Sequence, residues 1–447
     1  MSVLQSFQSA FRIPELRNRI LFTLGILVVY RIGGQVPIPG IDRIALAEFF
    51  SGASRTLFGL YDMFVGGAFT RATVFALGIM PYISASIILQ LLGAVIPFLQ
   101  KLQKEGEEGK KKITQYTRYG TVALAAAQAF GVSFFMESLR SPQSGMSVVV
   151  DPGWGFRFLT VVTITAGTVF IMWLGERIDD RGIGNGMSML IFIGIVARLP
   201  WAVGQEYQDF ITNDKGILRE LLVLVIIVGV TALVVLITQG TRKIPVQYAK
   251  RVVGRRVYGG QSTHIPLKVN TSGVMPIIFA QAIMFMPSTL ATYFSGNEFM
   301  QEFAVALSPG SSLQSLPYWI LYSATIIFFA YFYTAIVFNP IDLADNMKRH
   351  GGFIPGIRPG KRTSDFIDRI LTRITLPGSI FLAAIAVFPF FITNYLGVHP
   401  GLNDFFGGTG LLIIVGVALD TLQQIESHLL MRHYDGFMKK GRVKGRR

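Results

Sequence analysis

The sequence predicts an all-α membrane protein, and three observations carry that prediction. Hydrophobic residues make up 51% of the 447 positions and charged residues only 15%, where soluble chains carry about 25% charged. Mean hydropathy is +0.49. Nine stretches contain no Asp, Glu, Lys or Arg: 72–100, 119–136, 158–175, 182–197, 221–241, 269–297, 303–341, 374–403 and 405–419.

A spanning helix needs about 20 mostly apolar residues. The nine stretches supply one span each, although 182–197 and 405–419 are short and draw on flanking residues. A tenth span is 20–36, where Arg31 sits near one end and can snorkel to the interface. Ahead of it, residues 1–19 mix Phe7, Phe11 and Ile13 with Arg12, Arg17 and Arg19, as a helix lying on the membrane surface would.

With ten spans, both termini fall on one side. The segments on that side carry 32 of the 41 Lys and Arg residues. Basic residues are retained in cytoplasmic loops, so both termini are predicted to be cytoplasmic. The same retention explains the formal net charge of +15 without any nucleic acid.

Several chemistries are excluded or unsupported. With no cysteine there is no disulfide scaffold, thiolate zinc site or thiol nucleophile. The glycine-rich run Gly182-Ile183-Gly184-Asn185-Gly186 lacks nucleotide-loop spacing and follows no strand, so it reads as the turn into span five. His428 and His433 are five apart, off a common helix face. Asn270-Thr271-Ser272 fits a glycosylation acceptor by letters but falls on the predicted cytoplasmic side. No nucleophile–base set occurs. The expectation is a non-enzyme without metal or cofactor.

Internal similarity is the most informative pattern. Gly78-Ile79-Met80-Pro81-Tyr82-Ile83 in span two matches Gly273-Val274-Met275-Pro276-Ile277-Ile278 in span seven. Gly186 to Gly194 in span five matches Gly408 to Gly416 in span ten at four positions. Two halves of five spans follow, 1–215 and 216–447, and an odd number per half inverts the second against the first. Inverted repeats place the working site at their interface, often on Gly- or Pro-interrupted helices. Pro81, Pro276 and Pro287 read as span-interior kinks. The repeat equates Ile83 with Ile278 and Ile191 with Ile413. Ile79 and Ile195 lie one turn from Ile83 and Ile191, on the same faces.

Spans two, three, four, six, seven, eight and nine carry no interior carboxylate, and Asp420 lies near the end of the tenth. Ion-coupled transport relies on such groups or on unwound carbonyls, so a solute transporter is the weaker reading. An apolar constriction needs no fixed ligand. The run 57–69 is too short to cross and ends on the flexible Gly66-Gly67 joint. It reads equally as an interfacial helix or as a re-entrant plug. The long basic segments 240–268 and 340–373 contain turn sequences, as in 351–360, that predict ordered protruding loops able to dock an acidic protein or RNA phosphates.

The chain resembles the SecY family of channel subunits of the bacterial protein translocase. The resemblance runs nearly end to end. Its most specific stretches are Phe75 to Ser86, Arg181 to Gly186, Gln261 to His264 with Pro266 to Asn270, and Pro355 to Gly360. It implies a clamshell of two halves around a central hourglass pore for unfolded polypeptide. The pore ring would comprise Ile79, Ile83, Ile191, Ile195, Ile278 and Ile413. A plug would occupy 57–70, including Leu60, Met63, Phe64, Gly66 and Gly67. A lateral gate would open between spans two and seven, with a polar cluster of Ser84, Gln128 and Asn270. Arg255, Arg256 and Arg358 would receive the SecA ATPase or the ribosome, and SecE and SecG would complete the complex. The implied ligands are unfolded preprotein, its signal sequence and membrane lipid. Location in a bacterial inner membrane is expected over a thylakoid, since residue 1 follows no transit peptide. Met187, Met189 and Gly410 vary from the family beside the ring.

Overall fold

A computed structural model describes residues 13–52, 62, 65–141, 145–212, 216–248, 251–253, 256–258, 262–270, 272–293, 316–399, 401–402, 405 and 408–440. In chain order the helices of the first part are α1 (Pro14–Gly33), α2 (Arg43–Gly52), α3 (Met80–Val95), α4 (Pro97–Lys104), α5 (Glu107–Ser138), α6 (Trp154–Arg181), α7 (Gly186–Val196), α8 (Leu199–Thr212) and α9 (Ile217–Gln239). Strands β1 (Thr241–Tyr248), β2 (Arg251–Val253), β3 (Arg256–Tyr258) and β4 (Ser262–Lys268) follow. Then come α10 (Met275–Tyr293), α11 (Leu316–Val337), α12 (Pro340–Arg349), β5 (Gly352–Phe353), α13 (Lys361–Leu396) and α14 (Thr409–Lys440).

Among the described residues, seven helical stretches are long and apolar enough to cross a membrane. An eighth results if α3 and α4 count as one span bent by 103°. The bend falls where Ile96 is extended and Pro97 opens the next helix, because the residue before a proline is driven out of helical geometry. The outward faces fit lipid. In α9, Leu218, Leu221, Leu224, Val225, Val228 and Leu236 are all exposed. The interior of a bilayer offers no hydrogen-bond partner, so a helix that satisfies its own backbone and presents leucine and valine outward is the stable solution there.

Contacts divide the chain into two compact units, Met1–Gly204 with Ile413–Arg447, and Gln205–Leu412. In the first, α5 and α6 are joined at both ends by bidentate Arg–Glu pairs. Arg118 donates to Glu176 at 2.7 and 2.9 Å. Arg157 donates from Nε to Glu137 Oε1 at 3.2 Å and from Nη2 to Oε2 at 2.7 Å, with its guanidinium 4.0 Å from the Phe134 ring centroid. Such planar fork pairs fix orientation as well as distance.

In the same unit the glycine-rich run 182–186 is the turn into α7, as expected from the sequence. Four backbone N–H groups at this turn are met by side chains. Ile183 donates to Thr23 Oγ1 (3.0 Å), Gly184 to Gln424 Oε1 (2.9 Å), Gly186 to Asp179 Oδ1 (2.7 Å), and Ser188 to the capping Asn185 Oδ1 (3.1 Å). Leu16, Ile183 and Ile425 close over it as a small apolar cluster. The turn thereby ties α1, α6, α7 and α14 together.

In the second unit the structure adds strands that the all-α expectation did not include. β1 pairs antiparallel with β4 from Thr241↔Lys268 to Gln247↔Ser262, and with β5 at Gln247↔Phe353 and Tyr248↔Gly352. β2 and β3 form a separate two-stranded pair. The sequence obscured β1 because Pro245 and Arg242-Lys243 break the apolar alternation. Ile244 and Val246 alone turn inward, and they pack with Leu267, Met347, Ile354, Ile367, Ile370, Leu371 and Ile374.

Two predictions follow from this packing. A Cβ on Gly186 would lie 2.0 Å from the Gly175 carbonyl oxygen, a backbone atom that cannot swing aside. Gly186→Ala is expected to lower stability by about 1–3 kcal/mol, read as a lower thermal midpoint in detergent. Gly155→Ala, which meets nothing within 4 Å, should leave it unchanged or raise it. Leu267 is fully buried, so Leu267→Ala should cost the strand module about 2–5 kcal/mol. Hydrogen exchange should accelerate at amides 241–248 and not in α5 or α6.

Candidate functional site

The two repeated sequence motifs build matching helix starts. Gly78 has φ +55° and Gly273 φ +62°, and each lies two residues ahead of a helix that begins at the following methionine, Met80 or Met275. Left-handed backbone is cheap for glycine and costly for other residues, so the same letters give the same turn. Pro81 and Pro276 are the second residues of α3 and α10. They open these helices and do not kink their interiors, which corrects the sequence reading. The first turn has no hydrogen bond for proline to remove. Pro287 does lie within α10.

This start sets the phase of the isoleucines that follow. Ile79 caps α3, and Ile83 N–H donates to the Ile79 carbonyl at 3.1 Å, which stacks the two one turn apart. Ile278 N–H donates to the Val274 carbonyl at 3.4 Å, and Val274 is the residue that the repeat equates with Ile79. Ile191 and Ile195 share a face of α7. All six isoleucines are buried: Ile79, Ile83, Ile191, Ile195 and Ile413 in the first compact unit, Ile278 in the second.

Of the polar cluster, Ser84 on α3 and Gln128 on α5 are half-buried in the first unit. Helix α3 packs on α5 closely enough that a Cβ on Gly120 would lie 3.4 Å from that of Ala85. Asn270, in the second unit, is buried and accepts from the Ser272 hydroxyl at 3.3 Å. Leu60, Met63 and Phe64 of the expected plug lie outside the described residues. Gly66 and Gly67 are described, with φ +68° and +88°.

The two basic segments expected to dock partners are one folded body, joined by the β1–β5 pairing. Arg358 is exposed on the turn between β5 and α13, where its carbonyl accepts from the Thr363 hydroxyl at 2.9 Å. Arg256 belongs to β3, and Arg255 lies outside the described residues.

Sequence reasoning missed Asp62 and Arg198, and read Arg31 only as able to snorkel to the interface. Asp62 is a fully buried carboxylate 3.0 Å from Arg198 Nη2. Arg31 Nη1 is 3.4 Å from the Gly66 carbonyl oxygen. An acid inside the apolar run 57–69 was the available signal, because a lone charge in such a run needs a partner.

Fold and site define a multi-pass helical membrane protein with buried isoleucines at repeated helix starts and a basic, strand-built module. The SecY family model matches residues 73–422. The protein translocase subunit SecY of Escherichia coli strain K12 is 46% identical over 443 residues, 98% of each chain. That of Thermotoga maritima is 44% identical over 451 residues, covering 99% of this chain and all of its own. Three solved structures share the fold. One, described as a protein conducting channel, aligns with TM-score 0.65 at 18% identity over 93% of each chain. A SecY structure concerned with how the plug domain stabilises the closed channel gives 0.59 at 18%, over 93% of this chain and 92% of that one. Sec61 in the canine ribosome-channel complex gives 0.61 at 17% over 93% of each. The chain belongs to the SecY family, a family of translocase subunits and not of enzymes.

Proposed function

We propose that this chain is the protein-conducting subunit of a bacterial translocase, passing unfolded polypeptides across the inner membrane and releasing hydrophobic segments sideways into lipid. The observation that carries this reading is the 46% identity to a translocase subunit over nearly the whole length. Ten spans form two inverted halves, 1–215 and 216–447, closed as a clamshell on an hourglass pore. Both termini are cytoplasmic.

Ile79, Ile83, Ile191, Ile195, Ile278 and Ile413 form the collar at the waist. Branched aliphatic side chains hold no water, so the closed collar blocks ions by dewetting, and it fits any passing side chain because it has no chemical preference. Their burial supports this role. Segment 57–70 plugs the outer side, and the lateral gate runs between the helices of Ile83 and Ile278, flanked by Ser84, Gln128 and Asn270. The sequence holds no nucleotide-binding motif, so energy comes from a partner. SecA or the ribosome engages the basic module at Arg255, Arg256 and Arg358. The described part of that module is ordered and exposed at Arg358, as a docking surface requires. SecE and SecG complete the assembly.

The first test uses the absence of native cysteine. A single cysteine at 278, with a stalled secretory chain bearing its own, should form a disulfide that depends on a functional signal sequence. No crosslink at 278, 83 or 413 despite confirmed binding of the stalled chain would remove the pore assignment. Ile278→Asn should wet the collar and raise export of cargo with a defective signal, with unchanged export counting against it. Arg358→Glu should slow motor-driven transport while the channel still accumulates normally, and normal transport would end its docking role.

A further inference from the structure

The carboxylate of Asp62 is 1% exposed and serves four groups. The backbone N–H groups of Phe69 and Thr70 donate to Oδ1 at 3.1 and 3.0 Å. The Thr70 hydroxyl donates to Oδ2 at 3.0 Å, and Arg198 Nη2 lies 3.0 Å from the same oxygen. The Asp62 carbonyl also accepts from Gly67 N–H at 2.9 Å. Gly67, Phe69 and Thr70 are thus gathered onto Asp62 around one buried charge. Its counter-ion comes from just beyond the end of α7, the helix that carries Ile191 and Ile195.

The same stretch is held from a second side. Arg31 of α1 reaches the Gly66 carbonyl. Gly66 sits so close to α7 that a Cβ there would lie 2.9 Å from Gly194 Cα and 3.1 Å from the Gly194 carbonyl oxygen. Gly67 leaves room for the Arg198 Nε, 3.9 Å from where its Cβ would stand. Two arginines, one on α1 and one just beyond α7, therefore converge on the described root of the segment read as the plug.

We infer that Arg198 and Arg31 are positioning residues of the seal, and that the pairing of a half-buried Arg198 with the buried Asp62 carboxylate sets how readily the plug root leaves α7. This inference rests on the channel reading and adds a control element to it. Its physics gives an ordered set of signs. A carboxylate excluded from water needs its counter-charge, and removing that partner leaves an uncompensated buried charge. The root relieves it by moving toward water, which is the opening direction. Asparagine at 62 still accepts from Phe69 and Thr70 but carries no charge, so it no longer needs Arg198.

The test uses the full-length chain in cells depleted of their own subunit, reading export of a cargo with a defective signal beside export of normal cargo. Arg198→Gln should raise defective-signal export by about tenfold or more, the shift expected when a buried charge loses its partner. The double variant Asp62→Asn/Arg198→Gln should fall back close to the unsubstituted level. A role for Arg198 in packing alone predicts a double variant as leaky as the single, and that result overturns the inference. No leak from Arg198→Gln also overturns it, while normal cargo export keeps the channel reading intact. If Arg198→Gln fails to accumulate but the double variant does accumulate, the charge pair is upheld. Failure of both makes Arg198 a folding residue and ends the proposal. An unsubstituted chain that exports no cargo would instead overturn the channel reading itself.

Discussion

A backbone inside a bilayer finds no water, so each N–H and C=O must be met by the protein itself. Long helices meet this demand without help. The interest of this chain lies where helix stops, because every break then needs a partner supplied from elsewhere. Between α6 and α7 the partners are Thr23, Asp179, Asn185 and Gln424. Between α2 and α3 they are the Asp62 carboxylate and an exchange with the 36–38 segment, where Ile38 N–H donates to Ala72 and Val74 N–H donates to Val36.

The breaks also fix where the isoleucines stand. A glycine with positive φ, one residue, then methionine and proline gives a helix whose first turn is set by the turn before it. Repeating that device 195 residues later repeats the phase of the helix. The placement of these isoleucines depends on turns more than on the helices themselves. Proline at a helix start suits it, because φ is preset and no hydrogen bond is lost.

The basic segments illustrate a second solution. Their charge alone reads as retention on one side of a membrane. Their strands pair across more than a hundred residues of sequence, from Tyr248 to Gly352, and close over a buried aliphatic cluster that includes the first turns of α13. A platform of this kind holds Arg358 in place on an exposed turn, where a long loop without a core would let it wander.

The sequence by itself determined the membrane class, the apolar stretches, the repeat and the glycine-rich turn into α7. All of these rest on local composition or on periods within a few residues, and lipid enforces them strictly. Tertiary structure decided what depends on distant partners. Pro81 looked like an interior kink because apolar composition runs back to residue 72, yet residues 72–79 are turns paired with the 36–38 segment and the helix starts only at Met80. β1 was hidden because its apolar residues become a buried face only once β4, β5 and α13 are beside them. Asp62 and Arg198 are 136 positions apart in the chain, and no sequence period links them. Their pairing exists because the fold removes water from a carboxylate and brings an arginine to it.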